Sequence, residues 1–151
     1  KLNQYLRCNL MKAFTIYNIS DYEVIPLPAN HDSNQECFIY VIKKDSKILL
    51  YGHDSGYFFE ETWRALKDYK FHCVILDCTS GAQECPYPSH MGIPDNIKIR
   101  ERMYNEGMAD ENTKFILTHF AHSFAPFYDS MRKAAMENGF IAAYDGFEIE
   151  I

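Results

Sequence analysis

The stretch Lys47-Ile-Leu-Leu-Tyr-Gly-His-Asp-Ser-Gly-Tyr-Phe-Phe-Glu-Glu-Thr-Trp63 constrains the fold more than any other. It reads as an apolar strand over 48–51 that stops at Gly52-His53-Asp54-Ser55-Gly56, followed by a helix with Trp63 and Leu66 on one face. The two glycines are expected to let the backbone bend sharply around Asp54. A carboxylate just past the carboxyl end of a buried strand lies where α/β proteins gather ligand-binding groups.

The same switch recurs twice. The apolar run 71–76 breaks into Asp77-Cys78-Thr79-Ser80-Gly81, and the run 115–118 breaks into His119-Phe120-Ala121-His122. Helices are predicted over 60–69, 95–106 and 126–137, the last opened by Pro126 and closed by Asn138-Gly139. Upstream, strand patterns cover 14–17 and 22–27, with Pro26 and Pro28 pointing to an edge or a strand end. Strands over 37–43 and 47–51 form a hairpin across Lys44-Asp45-Ser46. A closing hairpin is expected from strands 140–144 and 147–151 across Asp145-Gly146. Residues 1–13 fit a short helix or a leader. The order, strands first and then strand–helix alternation, gives one α/β (α+β) domain with a mixed sheet and about three helices, mostly on one face.

Length and composition agree with a packed domain: 151 residues, 47% of them apolar and 15% aromatic. The net charge of −6 gives no general attraction for nucleic acid or an anionic membrane. No apolar run reaches membrane-spanning length. The five cysteines (Cys8, Cys37, Cys73, Cys78, Cys85) are odd in number and lack a CxxC pair, which points to reduced thiols and a cytoplasmic location. The chain begins with Lys, as an internal fragment or a processed product would.

Of six histidines, His31, His90, His119 and His122 fall in loops at or after strand ends, His53 precedes Asp54, and His72 opens a strand in a structural position. Imidazole and carboxylate together are the donors that zinc, iron and manganese accept. A cysteine nucleophile at Cys78 with His90 or His119 as base is the weaker alternative, because no Gly-rich elbow surrounds Cys78. Ser55 and Ser80 lack a G-x-S-x-G setting, and no phosphate-cradling glycine loop is present.

In sequence order, the His31 loop, Tyr51-Gly-His-Asp-Ser-Gly-Tyr57, Leu76-Asp-Cys-Thr79, Ser89-His-Met91, Leu117-Thr-His-Phe120 and Ala143-Tyr-Asp-Gly-Phe-Glu-Ile149 resemble the metallo-β-lactamase-fold hydrolases. Among these the likeness is greatest to the cyclic phosphodiesterase of phosphonate degradation, and more distant to tRNase Z. It runs from about Val24 onward. The resemblance implies metal ligands at His31, Asp54 and His119, with Asp54 bridging two metals, and a catalytic, non-ligand His90 that protonates the leaving group. Asp77 and Asp145 become framework residues, and His122 a pocket residue. It implies zinc, manganese or iron, dinuclear in the intact protein and at most partly loaded in this chain. It also implies a small-molecule or nucleotide-like phosphodiester substrate.

The family's H-x-H-x-D-H segment is missing from this sequence. The expectation is therefore the C-terminal half of an αββα sandwich, with one sheet face covered by a second copy or a partner and little activity in the isolated chain. Two other readings stand beside this one: a non-catalytic scaffold derived from the same fold, and a hydrolase acting on another ester.

Overall fold

The computed structural model describes residues 8–124 and 127–151. Seven strands form one sheet in sequence order: β1 (Tyr17–Ile19), β2 (Tyr22–Pro28), β3 (Phe38–Lys44), β4 (Lys47–Gly52), β5 (Cys73–Asp77), β6 (Lys114–Thr118) and β7 (Ile141–Ala142). The pairs from β1 to β4 are antiparallel, and those from β4 to β7 are parallel. Each parallel step carries a helix: α1 (Glu60–Leu66), α2 (Ile93–Asn105) and α3 (Tyr128–Glu137).

This order decides where the helices go. Strand–helix–strand crossovers are right-handed, and here every crossover advances in the same direction across the sheet. All three helices must then lie on one face. Register places Ile25, Val41, Leu50, Val74 and Phe115 in one row of that face. They join Trp63 of α1, Ile99 and Met103 of α2, and Met131 and Ala135 of α3 in a single buried cluster. Trp63 lies at its centre with no solvent exposure, and the Arg102 guanidinium sits 4.4 Å above its ring. Arg102 also forms a two-pronged ion pair with Glu60, at 2.6 and 2.8 Å, which ties α2 to the start of α1.

The opposite face carries a second apolar row: Pro26, Tyr40, Tyr51, Ile75, Ile116 and Ile141. No helix covers it. Tyr51 is exposed, and Tyr40, Ile75 and Ile141 are half-buried.

Several boundaries differ from the sequence reading. The first strand begins at Tyr17, not Phe14, whose positive φ of 61° ends the extended path there. Residues 8–13 contain no helix, and residues 1–7 lie outside the described residues. The first helix ends at Leu66, the second begins two residues earlier at Ile93, and the third begins at Tyr128, with Pro126 outside the described residues.

The prolines of β2 are tolerated for a local reason. The Pro26 carbonyl accepts from the Phe14 N–H at 2.8 Å, so the nitrogen of Pro26 points to that same side, where β1 has already ended, and no bond to β3 is lost.

The closing hairpin does not form. Its turn is present, with the Phe147 N–H donating to the Tyr144 carbonyl at 2.9 Å and Gly146 at φ 85°. The residues before it, however, pair in parallel with β6 as β7, and those after it make no strand.

Candidate metal centre

Three parallel strands end at the same edge of the sheet, and each delivers a side chain there. Asp54 follows β4 by two residues, Asp77 is the last residue of β5, and His119 immediately follows β6. Because β2 is two antiparallel steps from β4, its carboxyl end reaches this edge too and brings the His31 loop with it. His90 arrives on the loop between β5 and α2. Asp54, Asp77, His90 and His119 each offer a donor atom, all within 4.8 Å of one another.

Asp77 is the hub. Its carboxylate has no solvent exposure and is reached by five donors. Oδ1 accepts the backbone N–H groups of Thr79 at 3.0 Å and Met91 at 2.9 Å. Oδ2 accepts the Thr79 hydroxyl at 3.0 Å, His90 Nδ1 at 3.0 Å and His119 Nδ1 at 2.9 Å. An acceptor-only oxygen requires both imidazoles to carry their proton on Nδ1, which leaves Nε2 unprotonated in the neutral rings. That is how a carboxylate behind a histidine prepares it as a ligand. Asn96, buried in the first turn of α2, donates to the Asp77 carbonyl at 2.8 Å and fixes the strand end.

Asp54 contrasts with Asp77. Its Oδ1 is buried and has no hydrogen-bond partner among the described residues. Three imidazole nitrogens surround that oxygen instead: His31 Nδ1 at 3.4 Å, His119 Nε2 at 3.6 Å and His90 Nδ1 at 3.6 Å. These distances are long for hydrogen bonds. They match the roughly 3.3–3.6 Å between donor atoms on the edge of a tetrahedral site with bonds of about 2.0–2.2 Å.

His90 Nδ1 is already committed to Asp77, so a cation at Asp54 would be shared with His119 Nε2 and with His31, whose Nδ1 also lies 3.5 Å from the Ser89 carbonyl and would have to turn from it to act as a ligand. His31 is outside the tight four-residue group; its Nδ1 approaches Asp54, and its ring meets that of His90 edge-on with centroids 5.0 Å apart. Asp54 and His119 both adopt left-handed backbone, φ 56° and 63°. Each such residue costs of order 1–3 kcal/mol and is held only where the surroundings enforce it.

The bracketing glycines work by close approach, since neither Gly52 nor Gly56 is among the positive-φ residues and the left-handed turn falls on Asp54 itself. A Cβ on Gly56 would lie 1.8 Å from the Pro88 carbonyl oxygen. The His31, Asp54 and His90 loops are thereby pressed together, and Asn30 seals them by donating to the carbonyls of Tyr57 and Pro88, both at 3.1 Å.

The remaining candidates sort by position. His53 stacks on Tyr51, its ring stands edge-on to that of His119 with centroids 4.5 Å apart, and burial holds its pKa below the ordinary histidine value. His122 is exposed beside a cavity that His119 also lines. His72 Nδ1 accepts from the Ile48 N–H at 3.2 Å, a structural role as expected. Cys78 is buried, donates to the Gly81 carbonyl, and has its thiol pushed up to about 12 by burial, so it is no nucleophile. The central part played by Asp77 and Thr79 was not visible as chemistry in the sequence, where Asp77 stood only as a framework residue. Its position as the last residue of a continuous apolar strand was the available signal.

No protein-family model and no curated protein matches the sequence of this chain. Solved structures do match its fold. The metallo-β-lactamase fold protein YhfI from Bacillus subtilis aligns with a TM-score of 0.61 at 17% identity, over 91% of this chain and 53% of its own. A diphosphatase from the PhnP family aligns at 0.60 and 19% identity, over 90% and 46%. Zn2+-bound PqqB from Methylobacterium extorquens aligns at 0.62 and 12% identity, over 93% and 55%. At these identities the likeness shows the fold: the mixed seven-stranded sheet with three helices is that of metallo-β-lactamase-fold proteins. The chain spans about half the length of the structures it matches.

Proposed function

We propose that this chain is the C-terminal half of a metal-dependent hydrolase of the metallo-β-lactamase fold, and that the intact protein cleaves a phosphodiester. The observation that carries the reading is the buried, unpartnered Asp54 Oδ1 facing three imidazoles. A carboxylate oxygen in that setting calls for a cation. His31, Asp54 and His119 would hold it, and the donor set suits zinc, manganese or iron. When bound, such a cation supplies Lewis acidity and lowers the pKa of water.

The chain's own residues supply the rest. Asp77 fixes the His119 tautomer so that Nε2 faces Asp54. His90, tied to Asp77 through Nδ1, would pass a proton from Nε2 to the departing oxygen from its doubly protonated form, an imidazolium that the Asp77 carboxylate pairs with. Three ligands suffice for one cation, and a second would draw on donors from the other half of the sandwich.

The helix-free sheet face, open at Tyr51, half-buried at Tyr40, Ile75 and Ile141 and closed at Pro26 and Ile116, agrees with this division. Alternation along β5 puts Asp77 on the same side as Ile75, so the histidine cluster sits at the seam between the carboxyl edge and that face. A partner covering that face, either a second copy or the missing half, would adjoin the site. A stable monomer in gel filtration at micromolar concentration would count against this. All five cysteines are unpaired, as the reducing cytoplasm would keep them, and no helix among the described residues is long and apolar enough to cross a membrane.

The scaffold reading draws on the missing H-x-H-x-D-H run. The two separate by equilibrium dialysis against Zn2+ or Mn2+. The wild-type chain should take up metal, and His31→Ala and Asp54→Asn should lose most of it. Unchanged uptake in both variants would favour the scaffold.

A further inference from the structure

Beside His119 lies a cavity of about 590 Å3, within the size range of small-molecule sites. Phe120, Tyr128 and Tyr144 wall it, His53 and His119 close its metal-proximal end, and Asp145 lines it as well. Neither Lys nor Arg lines it. Arg132 belongs to a second cavity that shares Tyr128 and Tyr144.

The aromatic wall is held in place. The Tyr128 hydroxyl donates to the Ala142 carbonyl at 3.0 Å, and the Tyr144 ring stands edge-on to Tyr128 at 6.0 Å and to Phe147 at 5.5 Å. His53 is held between Tyr51 and His119, yet its Nδ1 is buried without a hydrogen-bond partner among the described residues.

We propose that this cavity receives an uncharged, planar aromatic or heteroaromatic group of the substrate, faced by Tyr144 and bordered by the His53 ring. The inference rests on the hydrolase reading of the histidine cluster and adds to it the class of substrate. Asp145 and the absence of a lining Lys or Arg disfavour anionic groups away from the histidines His53, His119 and His122, so the substrate's one anionic centre belongs at the histidine cluster and its aryl group in the cavity.

The test is binding to the metal-free chain, followed by NMR of the tyrosine and histidine rings. Methyl phenyl phosphate, methyl 4-carboxyphenyl phosphate and dimethyl phosphate are the probes. The aryl diester should shift His53, Tyr128 and Tyr144. Tyr144→Ala, at an exposed position, should weaken it about fivefold. Dimethyl phosphate should bind about tenfold more weakly, and the carboxyphenyl ester at least about fivefold more weakly.

Equal binding of the phenyl and carboxyphenyl esters, or shifts confined to another surface, would overturn the proposal. So would a Tyr144→Ala chain that binds as the wild type does. Tyr144→Ala should also keep full metal uptake. Aryl binding retained in a chain that takes up no metal would uphold the cavity while removing the hydrolase reading.

Discussion

Replacing Asp77 with Asn separates the two jobs of that carboxylate. The amide keeps one oxygen, which the backbone donors of Thr79 and Met91 will claim. Its NH2 group then faces His90 Nδ1, His119 Nδ1 and the Thr79 hydroxyl, where the wild type offers only an acceptor. Each imidazole must move its proton to Nε2 to accept from the amide. Hydrogen bonds to a charged group contribute about 1.5–3 kcal/mol each. The three bonds to Oδ2 are lost and partly replaced by neutral ones, so the metal-free chain should lose about 2–4 kcal/mol in urea unfolding.

The protonated Nε2 of His119 can no longer act as a ligand. Metal affinity should fall about 10–100-fold, the range for altered carboxylates behind ligating histidines. Competition with a chromophoric zinc chelator reads that loss, and nitrogen NMR of the imidazoles reads the tautomer directly. Unchanged His119 tautomer together with zinc affinity within about twofold of wild type would refute the role given to Asp77. A fall in stability alone would leave it as a loop anchor.

Other perturbations follow from the same geometry. Gly56→Ala forces a Cβ against the Pro88 carbonyl, so it should cost more than about 2 kcal/mol in chemical denaturation and weaken metal uptake by displacing the His90 loop. Trp63→Ala empties the centre of the core and should lower stability by roughly 3–5 kcal/mol. The Cys78 thiol is raised in the folded state from 9.0 to about 12, so its protonated form stabilises the fold. That contribution is complete below pH 9 and is lost as the pH rises toward 12. The stability gap between wild type and Cys78→Ala should therefore shrink by roughly 2 kcal/mol between pH 8 and pH 10.5 in matched urea titrations. Exposed Cys8 should react with a thiol reagent in the native state while buried Cys73 and Cys78 do not.

The sequence by itself determined the local events. Ile48 to Tyr51, the run 71–76 and the run 115–118 are apolar, and each ends in residues that cannot continue a buried strand. Strands, breaks and intervening helices were legible from that alternation, as was the list of histidines and aspartates that could bind a metal. The tertiary structure decided which of these meet. His31 and His119 are 88 residues apart in sequence (119 − 31), and they approach the same Asp54 oxygen because sheet order and crossover handedness bring four strand ends to one edge. Asp77 closes an apolar strand and Asp145 sits in a turn, a local difference that separates their positions; what makes Asp77 the hub is burial against His90 and His119. The same reason accounts for the missing hairpin. Asp145-Gly146 sets a turn through its own backbone, but pairing is a non-local choice, and β6 offered Ile141 and Ala142 a better-covered partner than residues 147–151 could. Backbone preference fixes where a chain bends, and burial fixes what it meets afterwards.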